Sequence, residues 1–326
     1  MQRSVLCLFF FSIISLNPAN PATFSAAEPH LALTKTHFGY QITIDGNLFA
    51  GYRTNFNGTP IIWPLIGPNE KPMTRAYPMD ESVVGEKKDH PHHRSLWFTQ
   101  DLVNGNRHWM KDRIVHQEFL KAECDGKTAT LVTKNHWLDP QNNAVICSDV
   151  RTIVFGVIGD GSVRSIDFDL KLTAEQEKVT IGDTKEGTFG IRVPTSIDVD
   201  AEKTNPKLGG TIVNAQGDKD DTAWGKRSDW VDYSGPIDGK VAGIAIFNHP
   251  KNFRYPTWWH VRTYGLFAAN PFGIKDFEPS LKQDGTVVLK KGESLSFYYR
   301  VILHKGDAMS LDIDKLYQDY VKLSKE

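Results

Sequence analysis

Cysteine is almost missing from this chain: the 326 residues hold only Cys7, Cys124 and Cys147. So few thiols exclude a scaffold stapled by several disulfides, and they equally exclude a cysteine-rich zinc or iron–sulfur site. One Cys124–Cys147 bridge and two separate thiols both fit the count. A surplus of charge of one sign is also lacking, since 38 Lys and Arg face 39 Asp and Glu, for a formal net charge of −1. That balance gives no reason to expect nucleic acid or an anionic membrane surface as partner. The P-loop, the glycine signature of dinucleotide folds, the GxSxG elbow and the HExxH zinc motif are absent as well. Their absence argues against nucleotide-driven and serine-nucleophile chemistry.

The apolar run from Val5 to Leu16, behind Arg3, is shorter than the ~20 residues that a membrane span requires. It reads as the core of a signal peptide, with Ser25 and Ala27 as the small pair before a cut after Ala27. The expected product is exported, to the periplasm or beyond, with no membrane span. Loss of Arg3 makes its charge one unit more negative. No Pro/Ser linker, low-complexity tract or internal repeat follows position 30, so residues 28–326 are read as a single domain.

What the chain has in abundance is alternation of apolar and β-branched residues, punctuated by turn dipeptides. QITIDGNLFAGY predicts a hairpin turning at Asp45-Gly46, and FLKAECDGKTATLVTKNHW predicts one at Asp125-Gly126. AVICSDVRTIVFGV and SVRSIDFDLKLTA pair around Gly159–Gly161, and KVAGIAIFNHP and TVVLKKGESLSFYYRVILHKG continue the pattern. One helix is expected, in SLDIDKLYQDYVKLSKE, with Leu316, Tyr317, Tyr320 and Val321 on a common face. The predicted fold is all-β: a large antiparallel β-sandwich closed by a short C-terminal helix. Its longest irregular stretches are Gly67 to Asn106 and Thr204 to Gly239, where functional loops are expected.

Candidate chemistry gathers in four segments. DHPHHRSLWF places His90, His92 and His93 within four positions, with Arg94 beside them. Pro91 biases His90 away from helix. If the segment enters a strand, His92 and His93 point to opposite faces. A metal would then need ligands from elsewhere, with His108, His249 and His260 as candidates and Asp89 or Glu186 as carboxylate. Acid/base work without a metal, sugar binding and a purely structural role are the other readings. In EGTFGIRVP, Glu186 and Arg192 share a strand face, which suits the hydroxyls and carboxylates of a small ligand or an ordinary ion pair. WWHVR puts Trp258, His260 and Arg262 on one strand face, the kind of row that can line a sugar pocket, although tryptophans in a sandwich are also core. WGKRSDWVDYSGP adds Trp224 as a further wall or as part of a capping loop.

DHPHHRSLWF, EGTFGIRV, WVDYSG, GIAIFNHP and WHVRTYGLFAANPFG together resemble a family of exported bacterial proteins that carries the label methane oxygenase PmoA. The likeness runs from about residue 35 to 305. It implies carbohydrate metabolism through the polysaccharide-degrading bacteria that export such proteins. The label sits poorly with a chain that has no spanning segment, because a membrane monooxygenase subunit needs several. LKKGESLSFYYRVILHKG is similar, more remotely, to the closing strands of the galactose-mutarotase-like supersandwich. That resemblance implies a histidine acid and a late glutamate base at a sugar's anomeric centre. YGLFAANPFG stands near the place of the glutamate strand and offers Asn270, an amide that cannot act as a base.

The reading is an exported protein that acts on or binds carbohydrate. His92, His93, Glu186 and His260 are its candidate catalytic groups. Arg94, Arg192, Trp224, His249, Trp258, Arg262 and Asn270 are its candidate binding groups. A non-catalytic carbohydrate-binding protein and a mononuclear metalloenzyme are the alternatives, and no cofactor is assigned.

Overall fold

The computed structural model describes residues 28–111 and 113–323. The expected leader lies outside them. Two antiparallel sheets carry the architecture. The larger, of 12 strands, runs in space as Leu31–Thr36, Gly39–Ile44, Asn47–Phe56, Thr59–Leu65, Leu96–Val103, Gly187–Arg192, Leu266–Asn270, Thr257–Val261 and Arg227–Ser228, with three short strands off this path. The smaller, of 8, runs as Thr211–Asn214, Trp230–Ile237, Lys240–Asn248, Ser294–Lys305, Val163–Ala174, Val145–Ile158, Ala129–Leu138 and Ile114–Cys124. Packed face to face they make the large antiparallel β-sandwich that the alternation predicts. The hairpin of Gly39–Ile44 and Asn47–Phe56 turns at Asp45 (φ 50°) and Gly46 (φ 80°), both left-handed as a two-residue hairpin loop prefers. The irregular stretch expected after Thr204 is interrupted by strands at Thr211–Asn214, Arg227–Ser228 and Trp230–Ile237.

Burial along the strands shows which faces are wet. Ala129–Leu138 alternates between buried and half-buried positions, as a strand with one solvated face should. Residues 96–101, 187–192, 257–261 and 266–270 are buried at every position. The middle of the large sheet is therefore covered on both sides. Its inner face meets the small sheet through residues such as Leu96, Phe98, Ile191, Trp259 and Phe267. Its outer face presents Trp97, Leu266 and Ala268 to Trp109, Met79, Met110 and Tyr264, which come from the connections above it.

On the small sheet the outer face is partly covered by the helix Ile313–Leu323. Ile313, Tyr317 and Tyr320 are buried against Trp230, Phe247 and Ile302, with Leu316 and Val321 at the margin of that contact. Cys124 and Cys147 are both free thiols; Cys124 Sγ lies 3.2 Å from the Leu31 carbonyl and burial pushes the Cys147 thiol up to about 12. No helix among the described residues is long and apolar enough to cross a membrane.

A buried cation anchors the connections over the outer face. Arg75, 1% exposed, donates to Asp89 Oδ1 at 2.8 Å, to Asp198 Oδ2 at 3.1 Å and to the Tyr264 carbonyl at 3.3 Å. Its own backbone N–H donates to the Arg192 carbonyl. One side chain thus joins the 66–95 connection, the Asp198 turn and the hairpin tip at Tyr264. That tip closes on Gly265 (φ 98°), where a Cβ would lie 3.1 Å from Arg75 Nη2 and 3.2 Å from the Asp198 side chain. Glycine is required there twice over, by φ and by space. Arg75→Met is expected to lower stability by about 3–5 kcal/mol, because it leaves the 0%-exposed Asp198 carboxylate with Lys87 as its remaining cation. Urea unfolding measures this, and a loss under about 1 kcal/mol would show the anchor to be dispensable.

Candidate functional site

The DHPHHRSLWF segment does not enter a strand until Leu96. His93 N–H donates to the His90 carbonyl at 2.9 Å, closing a turn with Pro91 at its first corner, while His90 (φ 46°) and Ser95 (φ 58°) are left-handed. This overturns the expectation that His92 and His93 diverge to opposite faces. All three imidazoles gather instead: His90 stacks on His93 at 4.9 Å, and His92 meets both edge-on at 5.7 and 4.4 Å. The stack continues to Tyr264 beyond His90 (5.0 Å, 3°) and to Trp97 beyond His93 (5.7 Å, 23°). A column of rings from a turn, a strand and a hairpin tip stands on the outer face of the large sheet.

Beside that column the sheet is low. Trp97, Gly190, Ala268 and His260 face one another across four adjacent strands. A Cβ on Gly190 would come within 2.9 Å of the Trp109 ring and 3.1 Å of Trp97, so glycine is needed for the two indoles to lie over it. Trp97 Nε1, Trp109 Nε1 and Thr99 Oγ1 are buried donors without a partner among the described residues, an unusual concentration for a folded interior.

The charges converge on the same place. Asp89 Oδ1 accepts from Arg75 and, at 2.7 Å, from Arg192 Nη2, while Oδ2 lies 3.3 Å from His90 Nδ1. Burial would raise the Asp89 carboxyl, but Arg192 and Arg75 outweigh it and hold it below the usual carboxylate range. Burial raises the Tyr264 phenol; Arg262 and Arg192 pull it down, and Glu186 and Asp89 push it up. Those four charges therefore surround one ring. Glu186, at the start of its strand, also pairs with Lys185 at 3.5 Å.

Hydrogen bonds set two histidines in opposite tautomers. Arg192 Nη1 lies 2.6 Å from His93 Nδ1, and a guanidinium can only donate, so that nitrogen is the lone pair and the neutral ring carries its proton on Nε2. His260 Nδ1 lies 2.9 Å from the Lys185 carbonyl, which can only accept, so the proton is on Nδ1 and Nε2 is the lone pair. Both rings are 2% exposed. Burial holds His93 well below its ordinary value, helped by Arg192, His92, His90 and His260. Burial likewise brings His260 down to about 3, with Arg262 and Lys185 adding to it, and His92 down to about 4. At neutral pH the site thus offers an uncharged donor at His93 and an uncharged base at His260.

The other expected residues divide. Trp258, His260 and Arg262 share the outer face, while Trp259 and Val261 enter the core. Trp258 donates to Glu278 at 2.6 Å and underlies Arg227, so it is a buried support and not an open platform. Trp224 approaches the Arg262 guanidinium at 5.7 Å and forms a wall. Arg94 donates to Thr59 on a neighbouring strand and reaches the site only through its charge on His92. Asn270 is consumed structurally, donating to the Thr184 carbonyl and accepting from Phe272 N–H. His249 lies elsewhere, beside Tyr298 and Tyr320 against the small sheet's outer face, because the strand carrying it belongs to that sheet. His108 packs on Trp137 with Nε2 3.0 Å from the Leu138 carbonyl. Among the described residues no three His, Cys, Asp or Glu side chains converge as metal ligands.

Sequence reasoning missed Arg75, Asp198, Trp97, Trp109 and Tyr264. Trp97 lies inside the quoted histidine segment and Tyr264 two residues past WWHVR, so their signal was proximity. Arg75 and Asp198 sit in irregular stretches where no periodicity marks a position.

The fold is thus a large antiparallel sandwich with a histidine- and arginine-lined site on the outer face of its larger sheet. By sequence the chain belongs to a family of unknown function, DUF6807, whose profile matches residues 39–318. That family has no assigned activity, so the methane oxygenase label adds nothing to the functional reading. A search of curated proteins finds no match. Among solved structures, a polysaccharide lyase is similar at 12% identity and TM-score 0.33 over 86% of this chain and 33% of its own, so the chain spans about a third of that protein's length. The Slr1438 protein from Synechocystis sp. PCC 6803 is similar at 9% identity and TM-score 0.35, over 91% of this chain and 100% of its own. A galactose mutarotase related enzyme from Lactobacillus acidophilus shows 12% identity and TM-score 0.25, over 78% and 97%.

The depressed histidines make stability depend on acid. Each is neutral in the fold but takes up a proton near pH 6.5 once unfolded, so its contribution is complete above about 6.5 and is lost as pH falls toward its folded value. Unfolding free energy is expected to decline between about pH 6.5 and 4.5 by up to about 1.4 kcal/mol per pH unit for each of His93 and His260. Urea unfolding at several pH values measures the slope, and a flat profile across this window would refute the assignment.

Proposed function

We propose that this protein acts on or binds a carbohydrate at the outer face of the large sheet, as an exported protein. The observation that carries the reading is the pair of buried, neutral histidines in opposite tautomers, with ring faces and guanidinium groups beside them. Sugars present hydroxyls that both donate and accept, and a site with one Nε2–H and one Nε2 lone pair can serve both roles. In a reaction, His260 is the group able to remove a proton, because its Nε2 is free of a proton at neutral pH. His93 donates a hydrogen bond to an oxygen that gains charge, held in place by Arg192. Glu186 is the partner carboxylate, and Arg192 and Arg262 position the ligand.

A binding protein without turnover would use the same walls, and one experiment separates the two. The protein is incubated with a panel of mono- and oligosaccharides, including oxidised sugars, and followed by proton NMR. Anomeric exchange or new products are expected, with His260→Asn slowing them about 10²–10⁴-fold. Asparagine can keep the donor to the Lys185 carbonyl while removing the base. His93→Asn keeps an acceptor for Arg192 and removes the Nε2 donor. Line broadening without turnover would establish binding alone. Neither binding nor turnover across the panel would overturn the carbohydrate reading.

A further inference from the structure

Arg262 differs from every other described arginine. Each of the others makes at least one hydrogen bond or ion pair, as Arg75 and Arg192 do with Asp89, Arg94 with Thr59 and Arg300 with Asp167. Among the described residues the Arg262 side chain makes neither; its guanidinium lies 5.7 Å from the Trp224 ring and 5.6 Å from the Tyr264 ring. It is only half-buried, so solvent reaches it.

Its position is held firmly. The backbone N–H of Arg262 donates to the Leu266 carbonyl and its carbonyl accepts from Gly265 N–H, so it begins the hairpin tip. The Tyr233 hydroxyl lies 3.3 Å from the Arg262 carbonyl, and Arg75 secures the far side of the tip through Tyr264. Arg262 projects from the same strand face as His260, two residues away, and the two are close enough for its charge to oppose protonation of that ring.

We propose that Arg262 is the docking group for a carboxylate carried by the ligand, which makes the preferred ligand an acidic saccharide such as a uronic acid unit. The inference rests on the carbohydrate reading above and specifies its substrate class. A guanidinium matches a planar carboxylate through two parallel N–H donors, and the Trp224 and Tyr264 rings shield that pairing from water. The nearby anions are engaged: Asp89 by two arginines and Glu186 by Lys185. A ligand carboxylate arriving at Arg262 has no protein carboxylate to displace.

The test is isothermal titration calorimetry with matched pairs of oligosaccharides of one linkage, acidic and neutral, such as oligogalacturonate against oligogalactoside. A sulfated neutral oligosaccharide serves as a non-carboxylate anion. The parent is expected to bind the acidic member about tenfold or more tighter than the neutral one, with the sulfated sugar close to the neutral value. Arg262→Gln should bring the acidic-to-neutral ratio close to one, and Arg262→Lys should restore part of the preference. Arg227→Gln, whose guanidinium contacts backbone carbonyls outside the site, should leave the ratio unchanged. The Arg262 side chain has no hydrogen bond to a described residue, so its variants are expected to keep the parental Tm. Equal affinity for both members, equal preference for sulfate, or an acidic preference that persists in Arg262→Gln would overturn the inference while leaving the carbohydrate reading intact. Failure of every saccharide to bind the parent overturns both.

Discussion

One carboxylate oxygen, Asp89 Oδ1, accepts from two buried guanidiniums, and the candidate site depends on that arrangement. Arg75 and Arg192 are each 1% exposed, and two cations brought together out of water repel unless an anion stands between them. Asp89 is that anion, and Asp198 takes up the second hand of Arg75. Because Asp89 immediately precedes the histidines, the requirement to neutralise Arg192 also sets where the HPHH turn lies. Arg192 then fixes the His93 tautomer, and Arg75 fixes the hairpin tip that carries Tyr264 and begins at Arg262. Electrostatics of a buried pair thus determines the chemistry of the groups its two arginines contact.

The second constraint is the double covering of the large sheet's centre. A sandwich needs only one dry face per sheet, and the strands at 129–138 keep to that rule. Strands 187–192, 257–261 and 266–270 break it, burying polar Arg192, His260 and Asn270 along with their apolar neighbours. Burial is what leaves His260 neutral and its Nε2 basic. It is also what makes indole donors without partners at Trp97 and Trp109 costly, and hence informative.

Much of this was legible beforehand. The hairpins at Asp45-Gly46, Asp125-Gly126 and Gly159–Gly161 follow from period-two alternation and turn chemistry, both local properties. The shared face of Trp258, His260 and Arg262 follows from the same period. The divergence expected of His92 and His93 failed because it assumed a strand where a Pro91 turn stands. His249 was grouped with His260 by nearness in sequence, yet one end of the FNHPKNFRYPTWWH segment belongs to the small sheet and the other to the large one. Asn270 offered an amide with nothing in sequence to show that two backbone groups already occupy it.

By itself the sequence determined the all-β class, the hairpin register and the strand faces, because those depend on residues within a few positions of one another. Tertiary structure decided which loops meet: Arg75 with Asp198, His93 with Arg192, and His260 with the Lys185 carbonyl are 123, 99 and 75 residues apart. Tautomers, depressed proton affinities and an unpaired guanidinium are consequences of those meetings. They depend on burial and on partners from distant strands, which no local pattern encodes.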